Sequence, residues 1–367
     1  MENIRAMTLT IILLILGLAL LVFAADWLVK GAASIAAAVG ISPLIVGLTV
    51  VAFGTSAPEL AVSVMSAFQG QADLAVGNVV GSNIFNILVV LGLSALIIPL
   101  IVHRQLIRFD LPVMIFLSLL LYWLSRDGSI SRIDGLILFA IAVAYTVVLI
   151  LQSKREKNSA VLTEYEEEYG KATEDPKWLK NLLLIALGMG GLVLGSKWLV
   201  DGAVEIARFF GVSELIIGLT IVSVGTSLPE VATSVVAAMK GERDIAVGNV
   251  VGSNIFNIVT VLGISSIVAP NGIHVPAQAF GFDLPVMIAV ALASLPIFFY
   301  GYKIGRAGGI FFLGFYGSYI AYLILEATQS AFFPQYRHAM LSYVAPAVAV
   351  GLLIVLIRAI KQGKNLA

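Results

Sequence analysis

The chain is written twice. AVGNVVGSNIFNI at 75–87 recurs letter for letter at 246–258. IVGLTVVAFGTSAPE at 45–59 is answered by IIGLTIVSVGTSLPE at 216–230, and WLVKGAASIA at 27–36 by WLVDGAVEIA at 198–207. All three pairs stand 171 residues apart, and FDLPVMI at 109–115 returns at 282–288. Thirteen identical residues in a row do not arise from a shared taste for apolar residues. Two halves with one pattern point to one fold written twice.

The same stretches are too apolar for water. Charged residues make up 12% of the chain and hydrophobic ones 59%, against about 25% charged in soluble domains. Apolar runs long enough to cross a bilayer, about 20 residues each, recur throughout. No period-two alternation marks a β-barrel. Net charge is zero, which gives no reason to expect nucleic acid. Cysteine is absent, which removes disulfides, thiolate metal sites and thiol catalysis. No GxxxxGK[ST] stretch occurs, so nothing suggests ATP hydrolysis.

Five spans per copy are predicted near 8–29, 43–69, 74–98, 109–125 and 132–152, then 180–200, 214–240, 245–269, 282–301 and 306–326. Residues 8–25 read as a retained span rather than a signal peptide, because the repeat pairs them with a later span. A further span near 338–360 has no counterpart. The long stretch 32–70 could instead be two spans, which would make the copies parallel. Basic residues decide between the counts. Five spans with the N-terminus outside put 16 Lys and Arg inside and 6 outside; splitting the long stretches gives 12 against 10. The expectation is an all-α polytopic membrane protein with two inverted five-helix repeats, ten core transmembrane helices, and one extra C-terminal helix. Its parts are 1–152, a charged cytoplasmic linker 153–178 read as a mobile surface segment, 179–326, and a helix and tail at 327–367. The expected location is the plasma (inner) membrane, multi-pass, with the C-terminus cytoplasmic. Ser42 and Pro43 read as N-cap and first residue of the second span.

Inverted repeats with broken helices mark a transporter, with its site where the breaks meet. Glu59 and Glu230 are the residues that demand an explanation. A carboxylate in mid-membrane is expensive, and no Lys or Arg lies in the interior of these spans to pair with it, Lys240 standing at the very end of the second. Thr55 and Glu59 share a helix face. Pro58 cannot donate to the carbonyl of Gly54. The kink frees carbonyls near 52–55, beside a carboxylate and the hydroxyls of Thr55 and Ser56. Thr226, Ser227, Pro229 and Glu230 repeat the set. Ser82 with Asn86, and Ser253 with Asn257, add neutral oxygens on the next span. Oxygen donors alone describe a hard cation, and a charge of −2 suits one divalent ion. Asn78, Asn83, Asn249 and Asn254 read equally as glue between helices. Asp110, Asp283, Asp73 and Asp244 read as helix N-caps. Asp26, Asp201, Glu205 and Glu326 read as solvated at the membrane interface. No resident cofactor is expected.

GTSAPE with GNVVGSNIFN, and GTSLPE with GNVVGSNIFN, resemble the two α-repeats of the cation/calcium exchanger superfamily, above all its prokaryotic sodium/calcium antiporters. The resemblance covers 1–326. It implies a ten-helix inverted core with four central ion sites, at which calcium and sodium compete in alternating access. By motif position Glu59 and Glu230 would be the central carboxylates, and Thr55 and Thr226 would offer carbonyls to calcium. Ser56, Ser227, Ser82 and Ser253, with the carbonyls of Ala52 and Ser223, would serve sodium, and Asn86 and Asn257 would line the centre. Some relatives, potassium-dependent exchangers among them, carry Asp where this chain has Asn257, which argues against potassium dependence. The proton-coupled branch carries GN-x-x-E where this chain has GTS-x-PE. A calcium/proton antiporter is therefore the second reading. A channel would more naturally gather several subunits round one axis. An enzyme is not expected, since no His or Asp stands near the motif serines.

Overall fold

A computed structural model describes residues 2–39, 41–69, 73–156, 177–211 and 223–364. Most of the linker read above as a mobile surface segment, 157–176, and the stretch 212–222 lie outside the described residues.

The described chain is almost wholly helical. Apolar helices long enough to span a bilayer cover Met7–Ala36, Leu74–Ile97, Leu106–Asp127, Arg132–Gln152, Trp178–Phe209, Arg243–Val268, Ala279–Phe299, Arg306–Ala327 and Phe333–Arg358. The second span is broken into Pro43–Thr55 and Ala57–Phe68, bent by 45°. Its counterpart is described from Ser223 onward, as a short helix Ser223–Gly225 and then Leu228–Met239. The protein is a multi-pass α-helical membrane protein, and its described helices fall where the repeat and the hydropathy place them.

Two small ladders show how the halves meet. Strand β1, Leu100–Ile101, pairs antiparallel with β4, Lys303–Ile304; β2, Ser129–Ile130, pairs with β3, Ile273–His274. Paired strands lie on one face of the membrane. Five crossings per copy put β1 and β4 on the same face, whereas six would set them on opposite faces. The same holds for β2 and β3. The long helices Glu2–Val39 and Trp178–Phe209 are repeat counterparts, and they run antiparallel. A Cβ on Gly17 would stand 2.8 Å from the Gly195 carbonyl, and one on Gly31 2.8 Å from that of Asn181. As residue numbers rise on one helix they fall on the other, so these counterparts point opposite ways. Without a hydrophobic drive between helices in lipid, such close backbone approach supplies the packing.

The centre belongs to the helices carrying the identical motif. In an 18-residue stretch of each span, 78% of Leu74–Ile97 and 89% of Arg243–Val268 is buried, against 17% in the flanking span Arg306–Ala327. Polar residues in the two central helices therefore face protein, not lipid. Wide π-turns begin at Asn86 and Asn257, and a third, Gly47–Val51, precedes the first break. π-turns widen the helix and often sit at functional sites.

Several expected caps are corrected. Asp110 and Asp283 cap no helix with their side chains. Their backbones are already helical because π-turns precede them. Instead Tyr145 donates to Asp110 at 2.9 Å, and Tyr319 donates to Asp283 at 2.9 Å. Asp110 is fully buried, and within the bilayer a neighbouring helix is the available donor. Tyr145→Phe is expected to lower stability by about 1 kcal/mol, read as a fall in the thermal unfolding midpoint in detergent. An unchanged midpoint would mean the bond contributes nothing. Ser42 holds the N-cap position in extended conformation, with Pro43 first in the helix, but its hydroxyl makes no cap bond. Interface carboxylates are also partnered. Asp26 bridges Lys30 at 2.7 Å and pairs with Lys240; Glu205 accepts from Thr10 at 2.6 Å, and Glu326 from Gln278 at 3.1 Å.

Candidate ion-binding site

Each break follows from its own residues. Ser56 leaves the helix at φ −80°, ψ 6°, and Pro58 then stands in the first turn of Ala57–Phe68. Ser227 does the same at φ −91°, ψ 6°, ahead of Leu228–Met239. Proline suits a first turn, where its missing N–H would have no partner anyway. The break sets Glu59 and Glu230 in the first turn of the second segments, where the helix dipole favours negative charge. Pro229 also denies a helical donor to the carbonyl of Gly225, which instead accepts from the Ser196 hydroxyl at 2.5 Å.

Glu59, Glu230, Thr55, Ser227, Ser82, Ser253, Asn86 and Asn257 are all fully buried, and Ser56 nearly so. They meet by crossing between the halves. Ser227 donates to Glu59 Oε1 at 3.0 Å, and Ser56 donates to Glu230 Oε1 at 3.2 Å. Ser82 Oγ stands 3.5 Å from Glu59 Oε1 and 3.0 Å from Ser227 Oγ. Ser253 lies 3.4 Å from Thr55 Oγ1 and 3.5 Å from the Ala52 carbonyl. That carbonyl also accepts from the Ser56 N–H at 3.0 Å and lies 3.3 Å from Thr55 Oγ1. Ser223 opens its short helix at the edge of the described residues.

Asparagines outside the expected ligand set brace this cluster. Thr55 donates to Asn249 Oδ1 at 3.0 Å, and Thr226 donates to Asn78 Oδ1 at 3.1 Å. Asn249 donates on to Ser234 at 2.9 Å, and Asn78 to Ser63 at 3.0 Å. Asn86 donates to Asn254 Oδ1 at 3.2 Å, and Asn257 to Asn83 Oδ1 at 3.2 Å. Their repetition in both halves was the available signal, but glue and ligand look alike in a sequence.

Among the described residues of this cluster, four buried carboxylate and amide oxygens have no hydrogen-bond donor within the protein: Glu59 Oε2, Glu230 Oε2, Asn86 Oδ1 and Asn257 Oδ1. Two are carboxylate oxygens and two are amide oxygens, one of each from each half. Buried acceptors are ordinarily satisfied. Here the excess is of acceptors only, which is the chemistry of a hard cation. Among the described residues no three His, Cys, Asp or Glu gather as a metal cluster, so any cation must draw on the neutral oxygens as well.

The family model described as "Sodium/calcium exchanger protein" matches residues 9–151 and 180–325. This chain belongs to that family. It is accordingly an ion transporter and not an enzyme. Its similarity to a putative antiporter CaxA of Alkalimonas amylolytica is 46% identity over 285 residues, covering 77% of this chain and 88% of that protein. To the sodium/calcium exchanger MaX1 of Methanosarcina acetivorans it is 31% identical over 347 residues, covering 86% and 99%. A solved structure of the sodium-calcium exchanger NCX_Mj, soaked with 10 mM sodium and 10 mM strontium, superposes with a TM-score of 0.73 at 33% identity; the match covers 86% of this chain and 98% of that one. The family match ends before Phe333–Arg358, so this helix stands outside the exchanger core.

Proposed function

We propose that this exchanger is a secondary antiporter that moves calcium out against inward sodium, by alternating access at one central site. Residues 1–152 and 179–326 form its inverted halves, joined by a cytoplasmic linker 153–178, and 327–367 is an accessory helix and tail. It lies in the plasma (inner) membrane with the N-terminus outside and the C-terminus cytoplasmic. Glu59 and Glu230 carry the charge, and the carbonyls of Thr55 and Thr226 complete the calcium shell. Ser56, Ser227, Ser82 and Ser253, with the carbonyls of Ala52 and Ser223, serve sodium, and Asn86 and Asn257 face the centre.

The four donorless oxygens carry this reading: two acidic and two neutral, they match one calcium ion in charge and hardness. Glu59 accepts from Ser227 and Glu230 from Ser56, so both carboxylates border one buried cluster formed by the two halves. Removed from water, they cannot both stay ionised without a cation between them. The carrier therefore changes sides only when calcium, sodium or protons neutralise the pair, which enforces exchange over leak.

Vesicles loaded with sodium and given external calcium-45 test this directly. An outward sodium gradient is expected to stimulate uptake, and collapsing it should stop uptake. Uptake that ignores sodium but follows a pH gradient would replace this reading with calcium/proton exchange at the same two glutamates.

A further inference from the structure

The repeated FDLPVMI stretch contributes nothing to the ion site as described so far, yet it reaches the site through two asparagines. Met114 and Met287 hold matching places in its two copies. Asn254 Nδ2 lies 3.5 Å from Met114 Sδ, and Asn83 Nδ2 lies 3.7 Å from Met287 Sδ. Asn83 Nδ2 also donates to the Asn254 carbonyl at 3.2 Å. All four side chains are buried.

The direction of these bonds follows from the chemistry of the partners. A thioether and a backbone carbonyl can only accept. They draw the NH2 end of Asn83 toward themselves, which turns Oδ1 of Asn83 the other way. That oxygen accepts from Asn257 Nδ2 at 3.2 Å. Asn257 thereby has its NH2 end occupied, and its own Oδ1 is the end left without a donor. The mirror chain runs from Met114 through Asn254 to Asn86, whose Oδ1 is likewise donorless. An asparagine in a cation site can fail in a way that a carboxylate cannot. Turned over, it presents two partly positive N–H groups to the ion.

We propose that Asn83 with Met287, and Asn254 with Met114, are positioning residues that fix the amide orientation of Asn257 and Asn86 so that oxygen faces the ion. This rests on the central calcium site proposed above. Each chain crosses from one half to the other, so each half sets the ligand of its partner. Where relatives carry Asp at the Asn257 position, both ends are oxygen and no such device is required.

The test compares Asn83→Ala in two backgrounds, wild type and Asn257→Asp. In the wild-type background the KM for calcium in vesicle uptake should rise about 10-fold or more, as for groups that orient metal ligands, with a smaller change in maximal rate. In the Asn257→Asp background the same substitution should change KM less than 3-fold, because a carboxylate has no wrong face. Met287→Leu conserves volume and removes the sulfur acceptor. It should raise KM in the same background-dependent way, and it serves if Asn83→Ala fails to fold. Calcium-dependent thermal stabilisation of the purified protein gives a second readout independent of flux. Equal KM changes in both backgrounds, or none in wild type, would overturn the relay while leaving the calcium site standing. A wild-type protein that neither binds nor moves calcium would overturn both.

Discussion

Replacing Glu59 or Glu230 by glutamine is expected to abolish calcium exchange, and either substitution alone should suffice. Each removes one of the two charges that would hold a divalent ion in the proposed site, which has no other charged ligand. Removing one partner of a buried charge pair costs about 3–5 kcal/mol, or roughly 10²–10⁴-fold in affinity. Glutamine matches glutamate in shape and can still accept from Ser227 or Ser56, so the fold is expected to persist. Stability supplies a crossed control. Wild-type protein should melt at a higher temperature when calcium is added, through preferential binding to the folded state. The glutamine variants should melt at the same temperature as wild type or above it without calcium, and lose the calcium-dependent rise. Sustained calcium-45 uptake in both single variants would place the ion elsewhere.

Gly252→Ala should come close to the same loss of transport by a different route. Gly252 lies three residues after Asn249 and directly before Ser253 in the central helix Arg243–Val268. A Cβ there would stand 2.7 Å from the Leu48 carbonyl and 2.8 Å from the Ala52 side chain. Backbone cannot swing aside as a side-chain tip can, so the helix and the Gly47–Val51 turn must separate. Overpacking of this kind costs about 1–3 kcal/mol. The displaced wall carries Ala52 and Thr55, and a misplacement of about 1 Å in a working site can lower the rate about 100-fold. Gly314 is the matched control, since a Cβ on it meets open space. Gly314→Ala should leave both melting temperature and uptake near wild type. Equal behaviour of the two alanine variants in calcium-45 uptake and thermal unfolding would show that the close approach at Gly252 is not required.

Much of the architecture was legible before any coordinates. The duplication, the places of the spans and the two costly carboxylates are properties of short stretches. A charge that lipid will not tolerate stands out whatever surrounds it, and the distribution of Lys and Arg pointed to inverted copies. The paired strands Leu100–Ile101 with Lys303–Ile304 fit that inversion. The bland reading of Asp110 and Asp283 failed for the opposite reason. Their local sequence, one residue before Leu-Pro, fits an N-cap. The π-turns before them and the tyrosines on a following span decided otherwise.

The sequence by itself determined the fold class, the family and the residues able to bear charge in the membrane, because hydropathy, repetition and motif are read along the chain. Only the tertiary structure decided which half serves which. Ser56 lies three residues from Glu59 yet bonds Glu230, and Ser227 bonds Glu59. Asn78 and Asn249 brace the threonines of the opposite half, and Asn83 and Asn254 hold the amides of Asn257 and Asn86. A broken helix turns its first-turn side chains away from its own preceding segment and toward whatever packs against the break. In an inverted repeat that neighbour comes from the other half, and so partners far apart in the chain, invisible to any local pattern, complete the site.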